Sequence, residues 1–449
     1  MPFQLTTDFL EQIEQLIAIK DGNALRELLQ DFHFADIAEI LEELNSDEAT
    51  YLIKLLETVI TSEALMELDD DVREKILDRL SPKEIAEELE ELDTDDAADI
   101  IAELDDDIQQ KVIGQIVDED HAADIVDLLK YDEDTAGALM AKELVRVKET
   151  WTVAGCVREM RRQAKNVTRV HSIYVTNKEG KLTGRLSLKD LLTASEKAHI
   201  SEVFIPKVDY VTVHTENEEV ARIMQKYDLE AIPVIDEEGI LVGRITIDDI
   251  VDFIKDEAEK DYQMAAGISQ VVEADDSVWE LTRARLPWLV LGLFGGLGSV
   301  YIMQGFEEAL EQFPILFFFT PLIAAMAGNV GVQSSAIIVQ GLANDNVKGS
   351  LFNRLVKEVG LALINGTALG LLVIIFGTIV GQEQLVSITI AASMLSVIIV
   401  AALIGTFVPI ILDKRGIDPA IATGPFITTS NDIFGIFLFF YISKVVLGF

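Results

Sequence analysis

Ile173-Tyr-Val-Thr-Asn-Lys-Glu-Gly-Lys-Leu-Thr-Gly-Arg-Leu-Ser-Leu-Lys-Asp190 returns 59 positions later as Ile232-Pro-Val-Ile-Asp-Glu-Glu-Gly-Ile-Leu-Val-Gly-Arg-Ile-Thr-Ile-Asp-Asp249. Each copy reads as an apolar strand, a turn at Gly180 or Gly239, a second strand and then a helix. A repeat at fixed offset marks two copies of one supersecondary unit. Residues 138–256 are therefore expected to alternate strands with helices.

Upstream, from Asp8 to Lys130, the period changes to that of short amphipathic helices. Ala35-Asp-Ile-Ala-Glu-Ile-Leu-Glu-Glu-Leu44 recurs loosely as Lys83-Glu-Ile-Ala-Glu-Glu-Leu-Glu-Glu-Leu92. Apolar residues at i, i+3, i+4 and i+7 give each helix one core face. Ser81-Pro82 reads as an N-cap followed by proline at the first helical position, and Thr94 and Asp107 as further caps. Starts every dozen residues or so predict stacked short helices in a superhelical array.

Downstream, Ile250–Ala266 reads as one long acidic helix leading through a polar stretch, 269–277. Five apolar segments follow, at about 286–304, 314–342, 355–381, 385–412 and 419–447, each long enough to cross a bilayer as a helix. Arg283 and Arg285 precede the first, Lys348, Arg354 and Lys357 lie between the second and third, and Lys414 and Arg415 between the fourth and fifth. The other two connections carry Glu307, Glu308, Glu311 and Glu383 and no base. Basic loops stay on the cytoplasmic side, so the N-terminus is expected inside and the C-terminus outside. Met1-Pro-Phe-Gln-Leu lacks the pattern of a secretion signal, which agrees with a cytoplasmic soluble region and a plasma or inner membrane location.

The 449 residues carry a net charge of −41, very unevenly spread. Residues 277–449 hold 10 of the 77 acids and 8 of the 36 bases, so nearly all of the excess falls on residues 1–276. Such a surface repels nucleic acid and concentrates cations. The single Cys156 rules out an internal disulfide and a thiolate cluster. Five histidines, none clustered, and no nucleophile–base pair or phosphate loop leave no basis for an enzyme.

The last apolar segment holds Pro425-Phe-Ile-Thr-Thr-Ser-Asn-Asp432, with Asp432 about halfway along Asp418–Gly448. A carboxylate there is costly unless it meets water, a partner or an ion. The second segment carries Gly328-Asn-Val-Gly-Val-Gln-Ser-Ser335. Pro425 is expected to free the carbonyl of Ile421. Carboxylate, amide and carbonyl oxygens without thiols or imidazoles suit a hard cation. Two Asp432 side chains about a dimer axis would make a divalent site. A cation-coupled secondary transporter regulated through the repeat is an alternative, although five spans divide poorly into inverted halves. A membrane-anchored sensor without transport is another.

The Gly-Arg-Leu-Ser-x-x-Asp and Gly-Arg-Ile-Thr-x-x-Asp endings of the repeat resemble a tandem CBS pair. The whole chain resembles the MgtE family of magnesium channels. Tyr131-Asp-Glu-Asp-Thr-Ala-Gly-Ala-Leu-Met140, Gly328-Asn-x-Gly-x-Gln-Ser, Asp418-Pro-Ala and Asp432-x-x-Gly435 carry the likeness. It implies a multidomain α plus α/β architecture: an acidic superhelical all-α domain (1–133), tandem CBS domains (134–256, as 138–198 and 202–256), a connecting or plug helix (250–277) and a five-span domain (278–449). It also implies a homodimer in the lipid bilayer, with the pore at its axis. Asp432 would bind hydrated Mg²⁺ there, with Thr428, Asn329, Gly328 and Gly424 as neighbours. Regulatory Mg²⁺ would bridge Asp95, Asp99, Glu216, Glu218, Asp228, Asp249, Asp252, Glu257 and Asp261 and close the channel. ATP is a candidate CBS ligand through Ser187/Asp190 and Thr246/Asp249, with helix capping as the competing role for both hydroxyls. The chain departs from the family pattern at Val332, where many relatives have Asn or Thr. Lys260 replaces an acid, and Ser172 and Leu229 stand where related channels have adenine-stacking aromatics.

Overall fold

The structure is a computed structural model that describes residues 3–449 except 165, 166, 168, 275, 344–346, 348, 349 and 423. The expected loop base Lys348 therefore lies outside the described residues. The chain forms two compact units, residues 1–254 and 255–449.

The first unit opens with α1 (Thr7–Ala18), α2 (Gly22–Leu29), α3 (Phe34–Glu43), α4 (Ser46–Ile53), α5 (Thr58–Met66), α6 (Asp70–Leu77), α7 (Pro82–Leu89), α8 (Thr94–Glu103), α9 (Asp106–Ile113) and α10 (Glu119–Leu128). Isolated helices this short are marginal in water, so tertiary packing must hold them. Each buries an apolar stripe: Ile37, Ile40 and Leu41 in α3, Ile85 and Leu89 in α7, Ile100 and Ile101 in α8. Odd helices pack on odd ones (α3 on α5, α5 on α7, α7 on α9) and α8 packs on α10, as a superhelical stack requires. Ser81 closes a capping box on α7: its hydroxyl accepts from Glu84 N at 3.3 Å, and Glu84 Oε2 accepts from Ser81 N at 2.7 Å. The other two expected caps are displaced. Asp93 and Asp105 occupy the N-cap positions of α8 and α9, so Thr94 is the first helical residue and Asp107 the second. Thr94 is free of capping because its hydroxyl is used across an interface: it donates to Glu143 at 2.8 Å and accepts from Lys142 N at 2.9 Å.

The repeat folds as read. β1 (Val145–Lys148), α11 (Val153–Gln163), β2 (Ile173–Thr176), β3 (Leu182–Leu186), α12 (Leu188–Thr193) and α13 (Ile200–Val203) form the first copy. The second is β4 (Val211–Thr212), α14 (Asn217–Tyr227), β5 (Ala231–Ile235), β6 (Leu241–Thr246) and the start of α15 (Ile247–Ala266). In both sheets the outer strand runs parallel to the central one and the hairpin partner antiparallel. Ile173 pairs with Leu186 and Ile232 with Ile245, the same register 59 residues apart. Gly180 and Gly239 take φ of +87° and +82° in the two hairpin turns, a conformation that favours glycine. The turns bond each other, Leu182 N to Gly239 O at 3.1 Å and Leu241 N to Gly180 O at 3.2 Å. The two copies are thereby joined about a local two-fold.

The second unit holds α16 (Val278–Gln304), the short α17 (Glu307–Gln312), α18 (Ile315–Ala343), α19 (Leu351–Val380), α20 (Gln384–Asp413) and α21 (Gly424–Leu447). Apart from α17, these are, among the described residues, the five helices long and apolar enough to cross a membrane, at 24 to 30 residues each. α20 is the central one, packing on α18, α19 and α21. The fifth span begins later than expected. Pro419–Ala422 forms a 3-10 turn, and α21 starts at Gly424 with φ of +50°. Pro425 is thus the second residue of a helix, where a missing N–H costs nothing, and does not kink a helix interior. Asp432 stands about 12 Å of helical rise above the start of α21 rather than at its centre.

Candidate metal centres

The phase of α21 puts Asp432 and Thr428, four residues apart, on one face. On α18 the same spacing aligns Asn329 with Gln333. These faces meet at a cavity of about 440 Å³ lined by Ala324, Ala325, Gly328, Asn329, Val332, Gln333, Thr428 and Asp432. Four of the five expected pore residues come together here. The cavity polar groups are one carboxylate, two carboxamides and a hydroxyl, with no base and no imidazole. Val332 is on the wall, so this departure from the family pattern touches the lining directly.

Gly424 does not join them. A Cβ on Gly424 would collide with the carbonyl of Ala265, and one on Gly267 with the Pro425 ring. The end of α15 is therefore seated on the first turn of α21, and Gly424 serves that junction. Asn431, grouped with the polar face in the sequence, is also elsewhere. It is 1% exposed, packed against Gly331 of α18, and neither atom of its carboxamide has a hydrogen-bond partner among the described residues.

The second centre lies within the first unit, where α8 faces the end of β6. Asp95 is 7% exposed, and burial, then Asp96 and Asp249, push its carboxyl well above the usual carboxylate range. Burial, Asp249 and Asp93 push Asp96 up to about 8. Burial and Glu103 push Asp99 up to about 7, against the pull of Arg73. Asp249 is raised by burial although Thr246 donates to it through both N and Oγ1 at 2.8 Å. Asp249 thus bears on the carboxyls of both Asp95 and Asp99. Asp96 and Asp93 were missed, although the run Asp93-Thr-Asp-Asp96 is plain in the sequence. Arg244 of β6 reaches Asp93 at 3.1 Å and Glu143 takes the Thr94 hydroxyl, so direct bonds also join the helical stack to the repeat.

The remaining expected regulators are dispersed. Glu216 precedes α14 and Asp228 ends it in a left-handed conformation, roughly 18 Å of helix apart. Glu218 and Asp252 are exposed. In the second unit Lys260 pairs with Glu257 at 3.1 Å, so the base that departs from the family pattern satisfies an expected ligand. Asp261 lies one turn on. Among the described residues no three His, Cys, Asp or Glu side chains converge on a ready-made metal site. The buried acids of α8 and Asp249 nonetheless suit a divalent cation by their chemistry: carboxylates taken out of water beside one another outnumber the two nearby bases, Arg73 and Arg244. Ser187 caps its helix, whereas the Thr246 hydroxyl and N–H donate to the Asp249 carboxylate. Ser187 Oγ donates to Asp190 Oδ2 at 2.6 Å and accepts from Asp190 N at 3.1 Å.

Together these features define a multi-span membrane protein with a helical acidic stack and a tandem CBS pair. The family profile for the MgtE intracellular N domain matches residues 32–134, that for CBS domains 136–197 and 200–256, and that for MgtE divalent cation transporters 320–442. The magnesium transporter MgtE of Thermus thermophilus is 33% identical over 442 residues, 97% of this chain and 98% of the relative. That of Bacillus subtilis is 35% identical over 317 residues, 70% of each chain. A crystal structure of the cytosolic domain of the Mg²⁺ channel MgtE in complex with ATP matches at a TM-score of 0.52 and 36% identity, over 54% of this chain and 99% of that one. The chain belongs to the MgtE family.

Proposed function

We propose that the protein is a Mg²⁺-selective channel, active as a homodimer in the plasma or inner membrane, whose acidic cytoplasmic part closes it when cytosolic Mg²⁺ rises. The observation that carries this is the cavity between α18 and α21, walled by the Asp432 carboxylate and the oxygens of Asn329, Gln333 and Thr428. Mg²⁺ is octahedral and gives up water reluctantly. Six waters at ~30 Å³ each occupy roughly 180 Å³, well inside the cavity of about 440 Å³. The space therefore suits the ion with its water shell, held by Asp432 through those waters. A second Asp432 across the dimer axis would match the double charge.

Closure is read the same way. The α8 acids and Asp249 repel one another across the join between helical stack and CBS pair. A divalent cation there favours the docked arrangement because only that arrangement assembles the carboxylates. The seat of α15 on the first turn of α21 offers the route to the pore. ATP binding is supported by likeness to the ATP-complexed relative. Ser187/Asp190 is the half suited to it, since the Asp249 carboxylate faces the acids of α8.

The test is Mg²⁺ flux into proteoliposomes of the purified chain. Asp432→Ala and Asp432→Asn are expected to lower flux at least ~10-fold or weaken Mg²⁺ over Ca²⁺ selectivity comparably, as for a lost charged contact of about 1.5–3 kcal/mol. Unchanged flux, half-saturation and selectivity in both variants would remove Asp432 from the pore.

A further inference from the structure

Glu358 is an acid in a spanning helix that the ion pathway does not touch. It is the eighth residue of α19 and only 9% exposed. No ion pair joins it among the described residues, and its one described polar contact is Ser334 Oγ, which donates to Glu358 Oε2 at 3.3 Å. A buried acid within a span is costly and needs a purpose.

Ser334 links it to the pore helix. It follows Gln333 directly, so at 100° per residue it points to the flank of α18 away from the cavity that Asn329 and Gln333 line. That flank meets α20 at a glycine node. A Cβ on Gly405 would strike the Gly331 carbonyl and come within 3.1 Å of Ser334 Cβ. α19 packs along α20 and α20 along α18, and Glu358 reaches past this close contact to grip Ser334. Asn431 and Ile427 of α21 pack against Gly331, and Ile323 and Ala327 lie in the buried core, so the Ser334 contact adds a polar anchor to α18 on the flank toward α19.

We propose that Glu358 is a positioning residue for the ion pathway: through Ser334 it fixes the rotation of α18, and so the aim of Asn329 and Gln333 toward the space that Asp432 completes. The inference rests on the pore reading given above. A rotation of about 20° carries an oxygen ~6 Å from the helix axis by about 2 Å. Recognition sites work within about 0.5 Å, so even a fraction of that rotation alters how the cavity holds an ion.

The experiment measures half-saturating Mg²⁺ and the Mg²⁺/Ca²⁺ flux ratio in proteoliposomes, per unit of monodisperse full-length protein. Glu358→Ala and Ser334→Ala are each expected to shift one of these by about threefold or more, and the double variant to be no worse than either single. Glu358→Gln, whose carboxamide oxygen still accepts from Ser334, is expected to stay within about twofold of the parent. Parental behaviour of both alanine variants, or additive losses in the double, overturns the proposal. So does a glutamine variant as impaired as alanine, since that would make the charge itself the agent. If Glu358→Ala does not yield folded protein, Ser334→Ala and Glu358→Gln decide the matter alone. Asp432→Asn in the same assay separates the two levels. A silent Asp432→Asn brings down the pore reading and this inference with it. An impaired Asp432→Asn beside silent Ser334→Ala and Glu358→Ala brings down this inference only.

Discussion

Asn431 and Asp432 are neighbours in sequence, yet one is sealed between helices and the other lines a cavity, because successive residues on a helix point about 100° apart. The Asn431 amide fills space that Gly331 leaves open. Gly331→Ala should therefore overpack the α18–α21 contact and lower stability by about 1–3 kcal/mol. Asn431→Ala in the same chain should recover much of that loss. Thermal unfolding of the four proteins in one detergent checks the pair, and equal melting of parent and Gly331→Ala would show that the helices are looser than their geometry. Asp432 was legible from sequence because a carboxylate deep in an apolar run has few uses. Glu358 was not: it follows Arg354 and Lys357 near the start of its segment and reads as a loop-side charge. Only packing reveals its burial. The role of Asn431 was equally hidden, since an amide beside an acid in an apolar segment looks like a second ligand until the helix phase is fixed by a partner.

At the scale of elements, local signals and long-range demands part company at the helix caps. Ser81 heads α7 with nothing competing for its hydroxyl, so the cap read from Ser81-Pro82 is the cap observed. Thr94 has the same chemistry, but Glu143 and Lys142, some 48 residues away, claim its hydroxyl. No sequence window short enough to find caps contains that competitor. The consequence is measurable. Ser81→Ala should cost about 1 kcal/mol, confined to the first turn of α7. Thr94→Ala removes a bond to a carboxylate and should cost about 1.5–3 kcal/mol, spread over both α8 and the segment carrying Lys142 and Glu143. Native-state hydrogen exchange on the intact protein distinguishes local from shared loss of protection. The strands were legible for the opposite reason: two copies at one offset, each with its turn glycine, leave one register that keeps the apolar face inside. The start of α21 was misplaced because Pro425 looks alike inside a helix and at its entrance, and only the Gly424–Ala265 contact tells them apart.

For the whole molecule the deciding quantity is the acid excess, which composition displays but cannot place. Most of it is solvated surface. A small part is gathered on α8 against Asp249, where Asp96 rises to about 8 and Asp99 to about 7, first because they are buried and then because acids face them. The charged groups surrounding this cluster are Asp93, Glu63, Glu103, Glu133, Glu143, Asp248, Arg73 and Arg244. Protons bind the docked state more tightly than the open chain, where an aspartate titrates near ~3.9. The contribution of these acids to docking is therefore full below about pH 4 and is lost as pH rises toward about 8. On the proposed reading, a divalent cation would supply positive charge at the high end of that window. Without Mg²⁺, the protein should resist proteolysis between its helical stack and CBS pair better near pH 6 than near pH 8.5, and millimolar Mg²⁺ should protect far more at the higher pH. Asp96→Asn and Asp99→Asn together should weaken the metal-free pH dependence, because two of the four raised carboxyls are gone and only Asp95 and Asp249 remain. Equal cleavage at the two pH values in the metal-free parent would mean that the cluster does not govern docking. Protection by Mg²⁺ that ignores pH would place the ion at other carboxylates.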